Sequence, residues 1–259
     1  MRKRLPISIL ALLAAAAAAC SNSPVSPASA GPEHALTVRL DTANLVFHYS
    51  PGDVVDAARA EAFHEWAVAF LDVSCPKKVD YYKFKDRAQQ YEVTERAVTG
   101  WAIPAPAFEV WTYLPFMNHE QFHLYSILLG TPTTFFVEGI AVAYQVDPLA
   151  GDFEAREKSG EPVHEVAREY RRSGRLLPLA QIVENAGWNA ADFTLTYIEG
   201  GSFVRYVADV HGIEKMKQVF RTIRQADGLA AVSAKFQGIY GISLAEAEQQ
   251  WLAFLDRGR

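Results

Sequence analysis

The segment "NHEQFHLYSILLGTPTTFFVEGIAVAYQ", residues 118–145, sets two histidines and two glutamates inside two otherwise apolar helical stretches. Burying charge is costly unless something compensates it. Any fold of this chain must therefore bring these groups to one another, to a counter-charge or to a bound ion. Pro115 suits a first helical turn and Gly130 a helix stop. Thr131-Pro132 opens a second helix that runs to about Val146, with Pro148 just beyond it.

His-Glu occurs three times, at His64-Glu65, His119-Glu120 and His164-Glu165. Only His119 is followed by a second histidine four residues on, His123. Positions i and i+4 share one helix face, so both imidazoles can reach one metal ion. Glu120 falls on the flank of that face, where it can take a proton from metal-bound water without being a ligand. A catalytic zinc usually has three protein ligands and one open position. Glu138, isolated in "FFVEGIAVA", is the expected third. It fits no capping box from Thr131 or Thr133, and a lone buried glutamate requires a cation; pairing with an arginine is the other way to supply one. Gly139 weakens the helix but permits close approach of a neighbour. The expected cofactor is Zn2+, held by His119, His123 and Glu138.

The rest of the chain frames this pair of helices. "ALTVRLDTANLVFHYS" reads as a hairpin, "KKVDYYKFK" as a strand, and "AVTGWAI" and "AFEVWTYL" as two more around "PAPA". Asp53 is the expected N-cap of a helix through "VVDAARAEAFHEWAVAFLD". After residue 147 the reading is helical: "PVHEVAREYRRSG", "LPLAQIVENAG", "ADFTLTYIEGGSFVRYVADVHG", "IEKMKQVFRTIRQADG" and "SLAEAEQQWLAFLDR". Strands first and helices after predict an α+β fold: a small N-terminal mixed sheet packed on a mainly helical body that carries the HExxH active-site helix.

The N-terminus reads as a targeting segment. Arg2, Lys3 and Arg4 precede an apolar run, so residues 1–19 are expected to be a signal peptide. Ala17-Ala18-Ala19-Cys20 resembles a bacterial lipoprotein signal, although Ala17 stands where that pattern prefers Leu. The resemblance implies lipidation of Cys20, a membrane anchor strong enough to be stable, and, with Ser21 following, an outer-membrane location facing the periplasm. Residues 20–33 then form a Ser-, Pro- and Ala-rich tether, and residues 34–259 the domain. The chain has 25 Lys+Arg against 30 Asp+Glu, a net charge of -5; loss of the three leader cations deepens it to -8. That excess of acid argues against nucleic-acid binding. After Cys20 only Cys75 remains, read as a small buried residue.

"HEQFH" followed by "FFVEGIAVAYQ" is similar to the gluzincin metallopeptidases, and most closely to their peptidase MA-like group, where a third-ligand glutamate lies on the next helix in a Glu-Gly-Leu/Ile-Ala setting. "YIEGGSFVRYVADVHGIEKMKQVF", "FQGIYGISLAEAEQQWLAFL" and "VFHYSPGD" resemble further segments of that group, so the likeness spans about Leu45 to Leu255. The resemblance implies a zincin-like fold. It implies His119, His123 and Glu138 as zinc ligands, Glu120 as general base, and Tyr197 as a donor to the developing oxyanion, with Tyr206 and Tyr144 as competitors. It implies hydrolysis of a peptide or protein substrate with the peptide laid along an edge strand; an endopeptidase is the leading reading and an exopeptidase, for which no terminus-anchoring motif stands out, the further one. "AFEVWTYL" is the expected edge, with Trp101 and Trp111 as candidate substrate contacts. A catalytically silent metal- or substrate-binding envelope lipoprotein is the alternative. Only 14 residues separate His123 from Glu138, fewer than in the thermolysin branch, and Gln121-Phe122 replaces a Leu-Thr-type pair. His34, His48, His64, His164 and His211 read as ordinary surface or core residues.

Overall fold

The computed structural model describes residues 35–156 and 160–258. The stretches read as signal peptide and tether, with Cys20 and His34, lie outside the described residues. Five strands form one mixed sheet: β1 (Val38–Asp41), β2 (Leu45–Tyr49), β3 (Val79–Lys83), β4 (Gly100–Ile103) and β5 (Glu109–Thr112). Their order is β1-β2-β3-β5-β4. The central pairs β2–β3 and β3–β5 are parallel, and the flanking pairs β1–β2 and β4–β5 are antiparallel. The fold is α+β, a sheet on the N-terminal side and a mostly helical body.

Alternation along the strands divides the two faces of the sheet. Leu45, Phe47, Val79, Tyr81 and Val110 point to one side and are fully buried. There they meet α1 (Ala57–Leu71) through Ala60, Phe63, Ala67 and Leu71, and α3 (Asn118–Ser126) through Phe122 and Tyr125. Each such large apolar side chain contributes about 1.5–3 kcal/mol. On the other face, cross-strand neighbours His48, Tyr82, Trp111 and Trp101 form a row of rings with centroids 4.6, 4.9 and 5.1 Å apart.

Several local expectations are corrected. The N-cap of α1 is Asp56, whose carboxylate accepts from the Arg59 N–H at 3.2 Å. Asp53 instead meets Lys83 Nζ at 2.5 and 2.6 Å, because a lysine 3 % exposed requires a counter-charge. β5, within "AFEVWTYL", is internal; the edge strand beside it is β4. β5 alternates the buried Val110 and Thr112 with Glu109 and Trp111 and pairs on both sides. Two helices went unread. The polar α2 (Arg87–Thr94) buries only Gln90 and so lacks an apolar stripe, although Asp86 caps it at the Gln89 N–H, 2.9 Å. α10 (Leu229–Tyr240) buries only Val232, Phe236 and Tyr240. The stretch "LPLAQIVENAG" divides into α6 (Leu179–Ile182) and α7 (Asn185–Ala190).

The remaining helices are α4 (Thr134–Ala143), α5 (Val163–Arg172), α8 (Phe193–His211), α9 (Ile213–Thr222) and α11 (Leu244–Arg257). α11 opens with a capping box between Ser243 and Glu246. Among the described residues no helix is long and apolar enough to cross a membrane. Cys75 is half-buried against the core, and burial pushes its thiol up to about 11.

α4 and α8 touch backbone to backbone. A Cβ on Gly139 would lie 2.8 Å from the Gly200 carbonyl oxygen and 2.8 Å from Val204 Cγ2. Replacing Gly139 by alanine gains about 1 kcal/mol of helix propensity, but the overpacking costs about 1–3 kcal/mol. Gly139→Ala is therefore expected to lower the urea midpoint; a raised midpoint would refute the close contact.

α8 also buries Glu199 completely. Its Oε1 accepts the Leu177 N–H at 2.8 Å, while Oε2 has no hydrogen-bond partner. Burial pushes this carboxyl up from 4.5 to about 8; the Leu177 N–H opposes the rise and the charge of Glu248 adds to it. The folded chain thus keeps a proton that the unfolded chain releases, and the stability this confers is lost as pH rises through the folded value. Stability is expected to fall between about pH 5 and 8 by up to a few kcal/mol. Glu199→Gln should flatten that slope in urea titrations at the two pH values; an unchanged slope would count against it.

Candidate metal centre

Helix α3 starts at Asn118, three residues later than Pro115 suggests, because the Pro115 carbonyl accepts the Asp56 N–H at 2.8 Å. The i, i+4 spacing then stacks His119 over His123, ring centroids 4.7 Å apart and nearly perpendicular. The α3–α4 connection turns at Gly130, with φ 146°. Thr133 opens α4 and donates Oγ1 to the Val183 carbonyl at 2.7 Å. α4 ends at Ala143 and delivers Glu138 to the two imidazoles. His119 Nε2 lies 3.3 Å and His123 Nε2 3.2 Å from Glu138 Oε2, and the two Nε2 atoms are 3.1 Å apart. Among the described residues Glu138 is thus partnered by histidines and not by an arginine.

These distances test whether the residues suit a metal. A tetrahedral shell with ligands at roughly 2.0–2.1 Å spaces its ligand atoms by about 3.3–3.4 Å. The three atoms already stand at nearly that spacing, and a two-nitrogen, one-carboxylate set suits zinc. Among the described residues this is the only group of three or more His, Cys, Asp or Glu side chains so arranged. The donor set and its spacing therefore fit the ion expected from the sequence.

The cluster is electrostatically self-consistent. Burial would push His119 down, but the hydrogen bond to Glu138 and the charges of Glu120 and Glu138 overcome it and raise the imidazole to about 9. Burial would likewise raise Glu138, yet the charge of His123 and the hydrogen bonds from both histidines hold it far below the usual carboxylate range. Glu120 is held above its ordinary value by burial, against the pull of His119, His123 and the Ala102 backbone. His119 and Glu120 shift up and Glu138 shifts down, each for a named reason, a pattern common at functional sites.

Glu120 sits against the edge strand. A Cβ on Gly100 would meet its Cγ at 3.1 Å and the Trp111 carbonyl oxygen at 3.0 Å. The small residue at the start of β4 lets α3 lie this close. Trp101 and Trp111 belong to the opposite face of the sheet, in the aromatic row, so they are not placed to touch a group held at Glu120. Tyr197 does approach the cluster: its ring lies 6.1 Å from that of His119 at 18°. Phe193 and Trp188 pack on it at 4.2 and 5.6 Å. Tyr144 stacks on Phe122, and Tyr206 packs tilted against Phe254.

The other described histidines are occupied elsewhere. His48 meets Asp80 at 3.2 Å, His64 meets the Tyr125 hydroxyl at 3.0 Å, and His164 meets Ser202 Oγ at 2.9 Å. His211 packs on Tyr240. One polar residue of the site was not singled out from sequence. Gln145 Oε1 lies 3.0 Å from His119 Nδ1. Its position just past the apolar run of α4 was the available signal, but only the folded chain shows what it meets. Comparison with protein-family models and with curated proteins gave no match.

Proposed function

We propose that the chain is a zinc-dependent peptide-bond hydrolase of the bacterial cell envelope, tethered through a lipidated Cys20. The observation that carries the catalytic part is the convergence of His119 Nε2, His123 Nε2 and Glu138 Oε2 to within 3.3 Å of one another, with Glu120 buried on the same helix. The gluzincin likeness of the same segments supports it, and the envelope location rests on the leader sequence alone.

His119, His123 and Glu138 would hold the zinc, which supplies Lewis acidity and a lowered pKa for bound water. Glu120 is the one carboxylate of the site outside the ligand set. It would accept the proton of the attacking water and return it to the departing amine nitrogen. The raised affinity of Glu120 for a proton, caused by burial, suits it to both halves of that transfer. A peptide would extend the sheet at β4, using the backbone groups of that edge. The Tyr197 hydroxyl would donate to the oxyanion as the carbonyl becomes tetrahedral.

The test is the metal content of protein purified without affinity metals, followed by a peptide panel at physiological zinc. About one zinc per chain with cleavage supports the proposal. Zinc without cleavage of any peptide favours the silent metal-binding alternative, and a folded chain that refuses added zinc rejects both.

A further inference from the structure

We propose that Gln145 is the positioning residue that presents His119 to the metal through Nε2, and that the backbone of Arg156 sets Gln145. The inference rests on the zinc reading above and adds how the site is preorganised.

Three steps of hydrogen-bond logic lead there. Gln145 Nε2 donates to the backbone carbonyl of Arg156. A carbonyl oxygen can only accept, so the amide NH2 must face Arg156, and Oε1 must face His119. An amide oxygen also only accepts, so the His119 Nδ1 it meets at 3.0 Å carries the proton. An imidazole that ligates a metal is neutral and has one N–H. Nε2 is then the atom with the free lone pair, and Nε2 is the atom that stands beside His123 and Glu138. Holding a ligating histidine by its other nitrogen fixes both tautomer and ring orientation and raises ligand basicity.

The Arg156 carbonyl is itself held. The Arg156 side chain pairs with Asp152 at 2.7 Å and donates to the Gly160 carbonyl at 2.9 Å, and its backbone bridges to Pro162. Arg205 of α8 ties down the strap between α4 and Arg156 through the Phe153 carbonyl at 2.9 Å. Asn118, the first residue of α3, donates to the Val146 carbonyl at 2.8 Å, so the strap and the ligand helix are joined twice. His123 has no such support: its Nδ1 is buried with no hydrogen-bond partner. Among the described residues the outer orientation of the two histidines therefore falls on Gln145.

Glutamine also suits the task better than an acid. A carboxylate could accept from His119 but not donate to Arg156.

The experiment uses the full chain and zinc alone. Zinc affinity is read by chelator competition for wild type, Gln145→Leu and Gln145→Glu, and the imidazole nitrogens of the zinc-loaded protein are read by 15N NMR. Gln145→Leu is expected to weaken zinc binding by about 10–100-fold. Gln145→Glu should recover most of that, since a carboxylate oxygen accepts the Nδ1–H; a residue that only packs would show the reverse order. The wild-type spectrum should show His119 bound through Nε2 with a protonated Nδ1. Should Gln145→Leu fail to fold, Gln145→Ala carries the same expectation. Equal affinity in wild type and Gln145→Leu, or His119 bound through Nδ1, overturns this inference and leaves the zinc reading standing. A wild-type chain that takes no zinc overturns both.

Discussion

Glu120→Gln is expected to leave zinc bound at wild-type stoichiometry and to lower turnover of any cleaved peptide by about 10²–10⁴-fold. The substitution is nearly isosteric, and it removes only the ability to take up and release a proton. Glu120 makes none of the three short contacts that define the cluster, so the ligand set should be unaffected. The amide oxygen can still accept the hydrogen bond from the Ala102 backbone. The measurement pairs metal analysis with the rate of peptide cleavage. Retained full activity on a cleaved substrate would reject Glu120 as the base.

The second large effect is expected at Glu138. Glu138→Ala should abolish tight zinc retention, a larger loss than the roughly 10–100-fold that follows removal of an outer partner. The physical reason is that Glu138 Oε2 stands within 3.3 Å of both Nε2 atoms and, among the described residues, is the carboxylate paired with both. Without it, two imidazoles 3.1 Å apart lose the carboxylate that both of them touch. Metal analysis after dialysis, with circular dichroism to verify folding, decides the matter. Undiminished zinc in the folded variant would mean that the ion is held elsewhere.

The candidate site was legible because its parts are local. The i, i+4 spacing of His119 and His123 places both on one helix face whatever surrounds the helix. A solitary glutamate in "FFVEGIAVA" must be compensated wherever that helix is buried, and Glu138 is 4 % exposed. Gly139 likewise announced a close neighbour, although only the structure identifies it as Gly200 of α8. Helices with an apolar stripe or a capping box, such as α11, were readable in the same way. α2 was not, because a helix that buries one glutamine has no apolar period to detect.

What the sequence by itself determined about this protein is a set of short-range facts: strands before helices, two histidines on one helix face, and a glutamate that demands a cation on the next helix. Tertiary structure decided everything that depends on which distant segments meet. It placed β5 inside the sheet and β4 at its edge, turned Trp101 and Trp111 to the face away from Glu120, gave Asp53 to Lys83, and set Gln145 between His119 and the Arg156 carbonyl. Periodicity reports a residue's neighbours within a turn or a strand. Strand order and hydrogen-bond partners across tens of residues are settled only by the free energy of packing the whole chain.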